Sequence, residues 1–317
     1  MKKTPIFILA LLLLTLTACT KAEDTPINAA AMNGPTGMGI AQLNSRALDG
    51  SLDYPLSVTF AGSPDQVSGG LISGNIQIAA VPVNLASVLY NKTEGQVLTA
   101  AVNTLGVLYV VEKGESIQSF GDLAGKKILA AGQGSTPEYI LNYLIEQNGL
   151  AGQADIEYAA EHAEAVTQMA AGNVDVIIVP EPFVTTALSK IEGARIALDI
   201  TEEWSKVSDA ELVQGCLVVR RDFAERHPKA VESFLKDYAE SAAYAVERPA
   251  ETASLIESYG IMGSAQLAEK AIPNCNIVCV TGEDMQAMVS GMLSVLHAAN
   301  PKSVGGELPG EDMYYMG

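Results

Sequence analysis

Short, strand-sized apolar runs alternate with amphipathic helical stretches along most of this chain, and the alternation predicts an α/β protein with parallel strands. Two further observations support it. Five of the apolar runs end on small or proline-containing residues that open a helix. The apolar fraction, 48%, is enough for a sizeable core in a body that suits one large domain or two medium ones.

Ile27–Met32 reads as the first strand, and Gly34-Pro35-Thr36-Gly37-Met38-Gly39 as the turn into a helix that runs through Ala47. Leu56–Ala61 is the second strand. Ser63-Pro64-Asp65 then starts a helix with a capping serine and a proline in the first turn, both preferred there. Residues 76–81 form a strand, and Pro82-Val83-Asn84 opens the next helix. Strands are expected over 97–102 and 107–111, a helical turn and loop over 120–127, and a strand over 128–131. Residues 132–138 lead into a helix through Asn148, with Gly149 as its C-terminal stop. A strand over 156–158 precedes a helix over 162–171, closed by Gly172. A strand over 174–179 gives way to Pro180-Glu181-Pro182 and a helix to Lys190. Residues 196–198 and 216–219 read as strands, and 222–297 as mostly helical. No repeat of fixed period is present.

The N-terminus carries a second message. Lys2 and Lys3 precede an apolar run over 6–16, broken only by Thr15 and followed by Leu16-Thr17-Ala18-Cys19. A basic end, a short apolar core and small residues at the cut are the parts of a secretory signal. The run is shorter than the ~20 residues a spanning helix needs. Leu16 to Cys19 resembles the bacterial lipobox, which implies cleavage before Cys19 and lipidation (palmitate) of that cysteine. Residues 1–18 are then signal peptide and 19–25 a lipidated tether, polar and short. The remaining body would sit outside the cytoplasm, on the extracytoplasmic face of the cell membrane.

The chain has a formal charge of −18, and loss of Lys2 and Lys3 makes it more negative. Nucleic acid and anionic membrane surfaces repel such a body and are not expected as partners. Three cysteines remain after Cys19. Cys275 and Cys279 would bridge only in a helical or tightly turned segment; free thiols at Cys216, Cys275 and Cys279 are the alternative. His162, His227 and His297 lack ligand-like spacing, so no metal or cofactor is expected. No dinucleotide fingerprint, P-loop or Gly-x-Ser-x-Gly elbow occurs. Glu138 and Glu181 sit in helix first turns, where the helix dipole favours an acid without any catalytic role.

The five strand ends cover residues 33–37, 62–65, 82–84, 134–138 and 180–182. A helix N-terminus exposes unpaired N–H groups and partial positive charge, and open α/β sheets bind ligands beyond the carboxyl ends of their strands. Several such ends around one cleft make a small-molecule site without metal or cofactor.

Asp122-Leu123-Ala124-Gly125-Lys126-Lys127-Ile128, followed by Gly134-Ser135-Thr136-Pro137-Glu138-Tyr139, resembles the solute-binding proteins of ABC importers. The closest branch handles nitrate, sulfonates, taurine and thiamine-pyrimidine precursors. Gly172-Asn173-Val174-Asp175, Val179-Pro180-Glu181-Pro182-Phe183, and Arg221-Asp222-Phe223 ahead of His227-Pro228 extend the likeness over nearly the whole mature chain. The resemblance implies a two-lobe type II periplasmic-binding-protein-like fold with a hinge and interlobe cleft. Its crossings are expected near 109–112 and 217–220, with lobe one over 26–110 plus 221–317 and lobe two over 111–220. It implies ligand contacts from Gly34, Pro35, Thr36, Gly37, Met38, Ser63, Pro82 and Asn84 in lobe one. Ser135, Thr136 and Glu181 would contribute from lobe two, and Asn103 or Thr104 from near the hinge. Tyr109, Tyr139 and Met38 are candidate stacking partners. No Arg or Lys lies in the five turns, so a neutral, aromatic or pyrimidine-like metabolite fits at least as well as a full anion.

The function implied is delivery of a small metabolite to an ABC permease and its ATPase, by a monomer and without catalysis. A pyrimidine-precursor-type enzyme on the same fold, or a sensory ligand-binding module, are the alternatives. A bulky residue at Ser135 or Thr136 is expected to weaken ligand binding while leaving the thermal midpoint of the ligand-free protein nearly unchanged. Titration calorimetry beside thermal melts checks this, and equal loss of both would make these residues structural.

Overall fold

The computed structural model describes residues 25–317. The expected signal peptide, Cys19 and all but the last residue of the tether lie outside the described residues.

The chain begins with β1 (Ile27–Met32), α1 (Pro35–Met38), α2 (Ala41–Asp49), β2 (Leu56–Ala61), α3 (Pro64–Ser73), β3 (Ile78–Pro82), α4 (Val83–Lys92) and β4 (Val97–Leu105). Its middle contains β5 (Leu108–Lys113), β6 (Lys127–Ala131), α5 (Thr136–Gln147), β7 (Asp155–Ala159), α6 (His162–Ala170), β8 (Val176–Pro180), α7 (Phe183–Lys190), β9 (Ala194–Asp199) and α8 (Ile200–Ser205). It closes with β10 (Val213–Arg220), α9 (Arg221–Arg226), α10 (Pro228–Glu247), α11 (Pro249–Ser258), α12 (Ala265–Ala271), β11 (Ile277–Val280) and α13 (Gly282–Ala299).

Two mixed sheets result. The first has six strands in the order β11-β4-β10-β3-β1-β2, and the second has five in the order β7-β6-β8-β5-β9. The parallel strands are those followed by crossover helices: β1 with β2 and β3, and β6 with β7 and β8. The antiparallel pairs are β10 with β3 and β4, β11 with β4, and β5 with β8 and β9. β1 and β3 carry runs of alanine that are almost wholly buried, the near-continuous apolar reading of strands covered on both faces.

Sheet membership changes at Gly106-Val107, and again across residues 200–212. The crossings expected at 109–112 and 217–220 fall instead inside β5, wholly in the second sheet, and β10, wholly in the first. The apolar sequence from Val97 to Val111 reads on without a polar break after Thr104, so nothing in its patterning marks the change. The mark is steric. A Cβ on Gly106 would lie 2.1 Å from Thr201 Oγ1 and 2.8 Å from Leu212 Cδ2 on the returning segment. The other departures are smaller: β3 starts two residues late, the first helix is two helices, and β11 interrupts the stretch expected to be helical.

The core has three parts. Leu43, Phe234, Tyr238 and Ile256 belong to a cluster on one face of the first sheet, under α2, α10 and α11. Val166, Met169 and Val184 belong to one on the second sheet, under α6 and α7. The third is shared: Val81 and Val102 of the first sheet and Ile128 and Ile178 of the second join one cluster through Leu144, Trp204, Met285 and Met292. Tyr143 packs its ring 4.9 Å from that of Trp204 within this bridge.

Glu112, on β5, is 2% exposed. Its carboxylate accepts from Ser116 N (2.9 Å), Ser116 Oγ (2.5 Å), Ile117 N (3.2 Å) and Arg195 Nη2 (2.7 Å). Burial acts to raise its pKa, but the Ser116 and Ile117 donors and the Arg195 charge outweigh burial and hold the carboxyl below its ordinary value. A depressed folded-state pKa adds stability that is present above the unfolded value and lost as pH falls through the folded one. Glu112→Gln is expected to cost about 2 kcal/mol at neutral pH. Urea unfolding between about pH 7 and about pH 3 should show a flatter pH dependence in the variant than in the parent.

Candidate ligand-binding site

The carboxyl ends of β1, β2 and β3 each run directly into a helix. After β1, Gly34 and Pro35 start the four-residue helix α1, and the turn closes with Gly37 N donating to the Gly34 carbonyl at 3.0 Å. A Cβ on Gly37 would stand 2.1 Å from the Met32 carbonyl oxygen, so the turn takes glycine alone. Ser63 precedes α3 with its hydroxyl free of any capping bond, and Pro82 precedes α4.

Asn103, on β4, holds the first turn from behind. Its Nδ2 donates to the Thr36 carbonyl (2.9 Å) and to Tyr238 Oη (3.2 Å), while its Oδ1 accepts from Thr104 Oγ1 (3.2 Å). Asn103 and Thr104 are buried. Met38 is 0% exposed and belongs to the cluster under α2 and α10. These three back the wall, whereas Gly34, Pro35, Thr36, Ser63, Pro82 and Asn84 are half-buried at its surface.

The second sheet presents the matching face. Ser135 is the N-cap of α5, and its Oγ donates to the Gly132 carbonyl. Gly134 N donates to Glu138 Oε2, so Glu138 closes the α5 turn. Thr136 Oγ1 donates to Asn84 Oδ1 at 2.9 Å. This bond joins the start of α4 on the first sheet to the start of α5 on the second, and it unites two residues singled out from sequence. Glu181, 1% exposed, follows β8. Its carboxylate accepts from Thr185 N (3.1 Å), Thr185 Oγ1 (3.0 Å) and Asn274 Nδ2 (3.3 Å). Burial raises its pKa against these donors. Tyr109 is buried with its hydroxyl on the Asn274 carbonyl at 3.3 Å, and Tyr139 is half-buried with its hydroxyl on the Gly134 carbonyl.

A cavity of about 470 Å³ opens where the first turn approaches α7 and α12. Asn33 and Gly34 bound it from the first turn, Phe183 and Lys190 from α7, and Met262 and Leu267 from α12 and the loop before it. The Phe183 ring packs 5.2 Å from that of His162, at the start of α6. His162 Nδ1 is buried without a hydrogen-bond partner among the described residues, and burial lowers the pKa of the ring, which favours its neutral form. Phe183, His162, Asn274 and Met262 were not among the site residues read from sequence. His162 opens a helix after β7, the same strand-end position as the other five, but without the glycine or proline that marked them. Asn274 and Met262 lie in the stretch that reads as helix, where nothing marks a return to the cleft.

A family model for the NMT1-like family matches residues 49–259, well over half of the sequence. The chain belongs to this family. No curated protein matches it in sequence. Among solved structures, an ABC transporter protein from Parabacteroides distasonis is similar at 26% identity and a TM-score of 0.78, over 92% of this chain and 99% of that one. The periplasmic aliphatic sulphonate binding protein SsuA from Escherichia coli aligns at 16% identity and TM-score 0.73, over 92% of each chain. The periplasmic nitrate-binding protein NrtA from Synechocystis PCC 6803 aligns at 15% and TM-score 0.54, over 74% of this chain and 66% of that one. The fold of this NMT1-like protein is thus the one used by periplasmic solute-binding proteins.

Replacing Asn103 with leucine leaves the Thr36 carbonyl and the Tyr238 hydroxyl without their donor, a loss of about 1–3 kcal/mol. Chemical denaturation should record this loss, and proteolysis should cut the 33–38 turn faster than in the parent.

Proposed function

We propose that this NMT1-like protein is an extracytoplasmic solute-binding protein that delivers a small metabolite to an ABC permease and its ATPase, without chemical turnover. The observation that carries the reading is the apposition of strand ends from two sheets across one cleft. Asn84 meets Thr136 across it, and the turn after β1 and the start of α7 share a cavity of about 470 Å³, within the size range of small-molecule sites. On this reading the chain has a first lobe, about 26–106 plus the residues after about 206, and a second lobe between them. The turn residues Gly34 to Thr36, Ser63, Pro82, Asn84, Ser135 and Thr136 face the ligand, while the buried Gly37, Met38, Asn103, Thr104 and Glu181 support them.

The cavity favours a ligand with an apolar body. Phe183, Met262, Leu267 and Pro182 line it, and Lys190 is the cation among its lining residues. The alternative of a pyrimidine-precursor-type enzyme gains nothing from the Cys275 thiol. Cys275 is 0% exposed, its Sγ lies 3.2 Å from the Ala271 carbonyl, and burial raises its pKa far from thiolate chemistry. Proteins that share this fold include a sulphonate binder and a nitrate binder, and the absence of cations in the five turns argues for a less charged ligand here. The chain acts as a monomer, held at the membrane by acyl chains on Cys19. Anchoring raises the effective concentration of the binding protein at its permease.

Native mass spectrometry of the protein from its own host should reveal a bound small molecule, recovered chemically unchanged after prolonged incubation. A converted product would overturn the binding-protein reading. In the same host, labelled palmitate should enter the parent chain and not Cys19→Ala, which should keep its signal peptide.

A further inference from the structure

Residues 273–276, between α12 and β11, belong to neither crossing of the chain, yet they touch both sheets. Asn274 Nδ2 donates to Glu181 Oε1 at 3.3 Å, and the Asn274 carbonyl accepts from Tyr109 Oη at 3.3 Å. Two residues on, Asn276 Nδ2 donates to the Gly106 carbonyl, and the Asn276 carbonyl accepts from Leu105 N at 3.1 Å. The loop is pinned to the first lobe. Cys275 N donates to the Ile272 carbonyl at 3.0 Å, and Ile277 is the register partner of Thr104. Asn276 holds φ +43°, a left-handed conformation that few non-glycine residues adopt. The tight backbone here sets Asn274 and Asn276 on their separate targets.

We infer that this loop is a third, non-covalent tie between the lobes, and that Asn274 sets the balance between closed and open cleft. The inference rests on the hinged two-lobe reading above. The two crossings are covalent and persist in every state. The Asn276 contacts lie on the first crossing itself, so they survive rotation about it. The Asn274 contacts do not, because Glu181 and Tyr109 travel with the second lobe. At 3.3 Å they are near the limit of a hydrogen bond, so a movement of a few tenths of an ångström ends them. Asn274 Nδ2 donates to the buried Glu181 carboxyl and the Asn274 carbonyl accepts from Tyr109, and one such buried hydrogen bond is worth about tenfold in an equilibrium. Apparent affinity scales with the fraction of protein already in the binding-competent state. Asn274 is therefore a positioning residue that tunes affinity without meeting the ligand.

Hydrogen exchange on the mature chain, stripped of small molecules by reversible unfolding, reads this balance directly. In Asn274→Ala the amides of residues 33–38 and 134–138 should exchange about tenfold faster than in the parent. Central-strand amides of 98–102 and 176–179 should be unchanged, which a loss of global stability would not allow. Asn274→Asp, which sets a second carboxylate against Glu181, should open the cleft further. Tyr109→Phe, which removes only the hydroxyl donor, should do so less. Unchanged exchange at both turns in all three variants, or uniform acceleration across the chain, would overturn the inference. A ligand retained by a protein whose variants exchange like the parent would discard the tie and leave the solute-binding reading intact. A cleft that opens in the variants but holds no small molecule would do the reverse.

Discussion

Everything in this molecule depends on how an extended chain leaves one sheet and enters another within two residues. Gly106 makes the passage possible because the returning segment lies against it, with Thr201 and Leu212 where a side chain would be. The peptide groups on either side are shared out rather than left bare. The Gly106 carbonyl takes the Asn276 amide, the Val107 carbonyl takes Glu181 N, and Leu105 N goes to the Asn276 carbonyl. Buried backbone groups need such partners, so the sequences of three distant segments are constrained by one crossing. The two sheets can face each other closely because one of the two connections between them is only two residues long.

The same economy shapes the cleft. Each wall is a set of helix starts whose backbone is fixed by a second layer of polar side chains: Asn103 behind Thr36, Glu138 under Gly134, Thr185 beneath Glu181. The second layer is largely buried and hydrogen-bonded, which holds turns of glycine and proline in one conformation despite their exposed faces. The side chains of Asn84 and Thr136 are satisfied by each other across the gap. In the proposed site, a ligand entering between them would have to offer equivalent hydrogen bonds, a chemical demand on it independent of its charge.

Much of this was legible in the sequence. Strand ends carry glycine, proline and serine because helix starts favour them, so the turns at 33–37, 62–65, 82–84, 134–138 and 180–182 could be placed from residue type alone. The hinge could not. From Val97 to Val111 the chain is apolar nearly throughout, since both sheets bury it, and pattern alone cannot show where one buried strand becomes another. β11 escaped for a related reason. Four residues at a sheet edge, Ile277–Val280, are too few to stand out between two amphipathic helices. Met38, Asn103 and Thr104, read from sequence as contact residues, are buried behind the first turn, because sequence does not distinguish a wall from the layer behind it.

The N-terminal end of the described chain bears on which part of the molecule moves. Thr25 Oγ1 lies 3.3 Å from His227 Nδ1, at the start of α10, so the chain joins the body on the first lobe. With acyl chains on Cys19, the six intervening peptide steps reach on the order of 20 Å at full extension. On the proposed anchoring the first lobe would be the moored one, and opening would be a swing of the second lobe against a body that stays near the bilayer. A permease meeting this protein would face one stationary surface and one that changes angle with occupancy, so a difference in orientation alone would report whether the carrier is loaded.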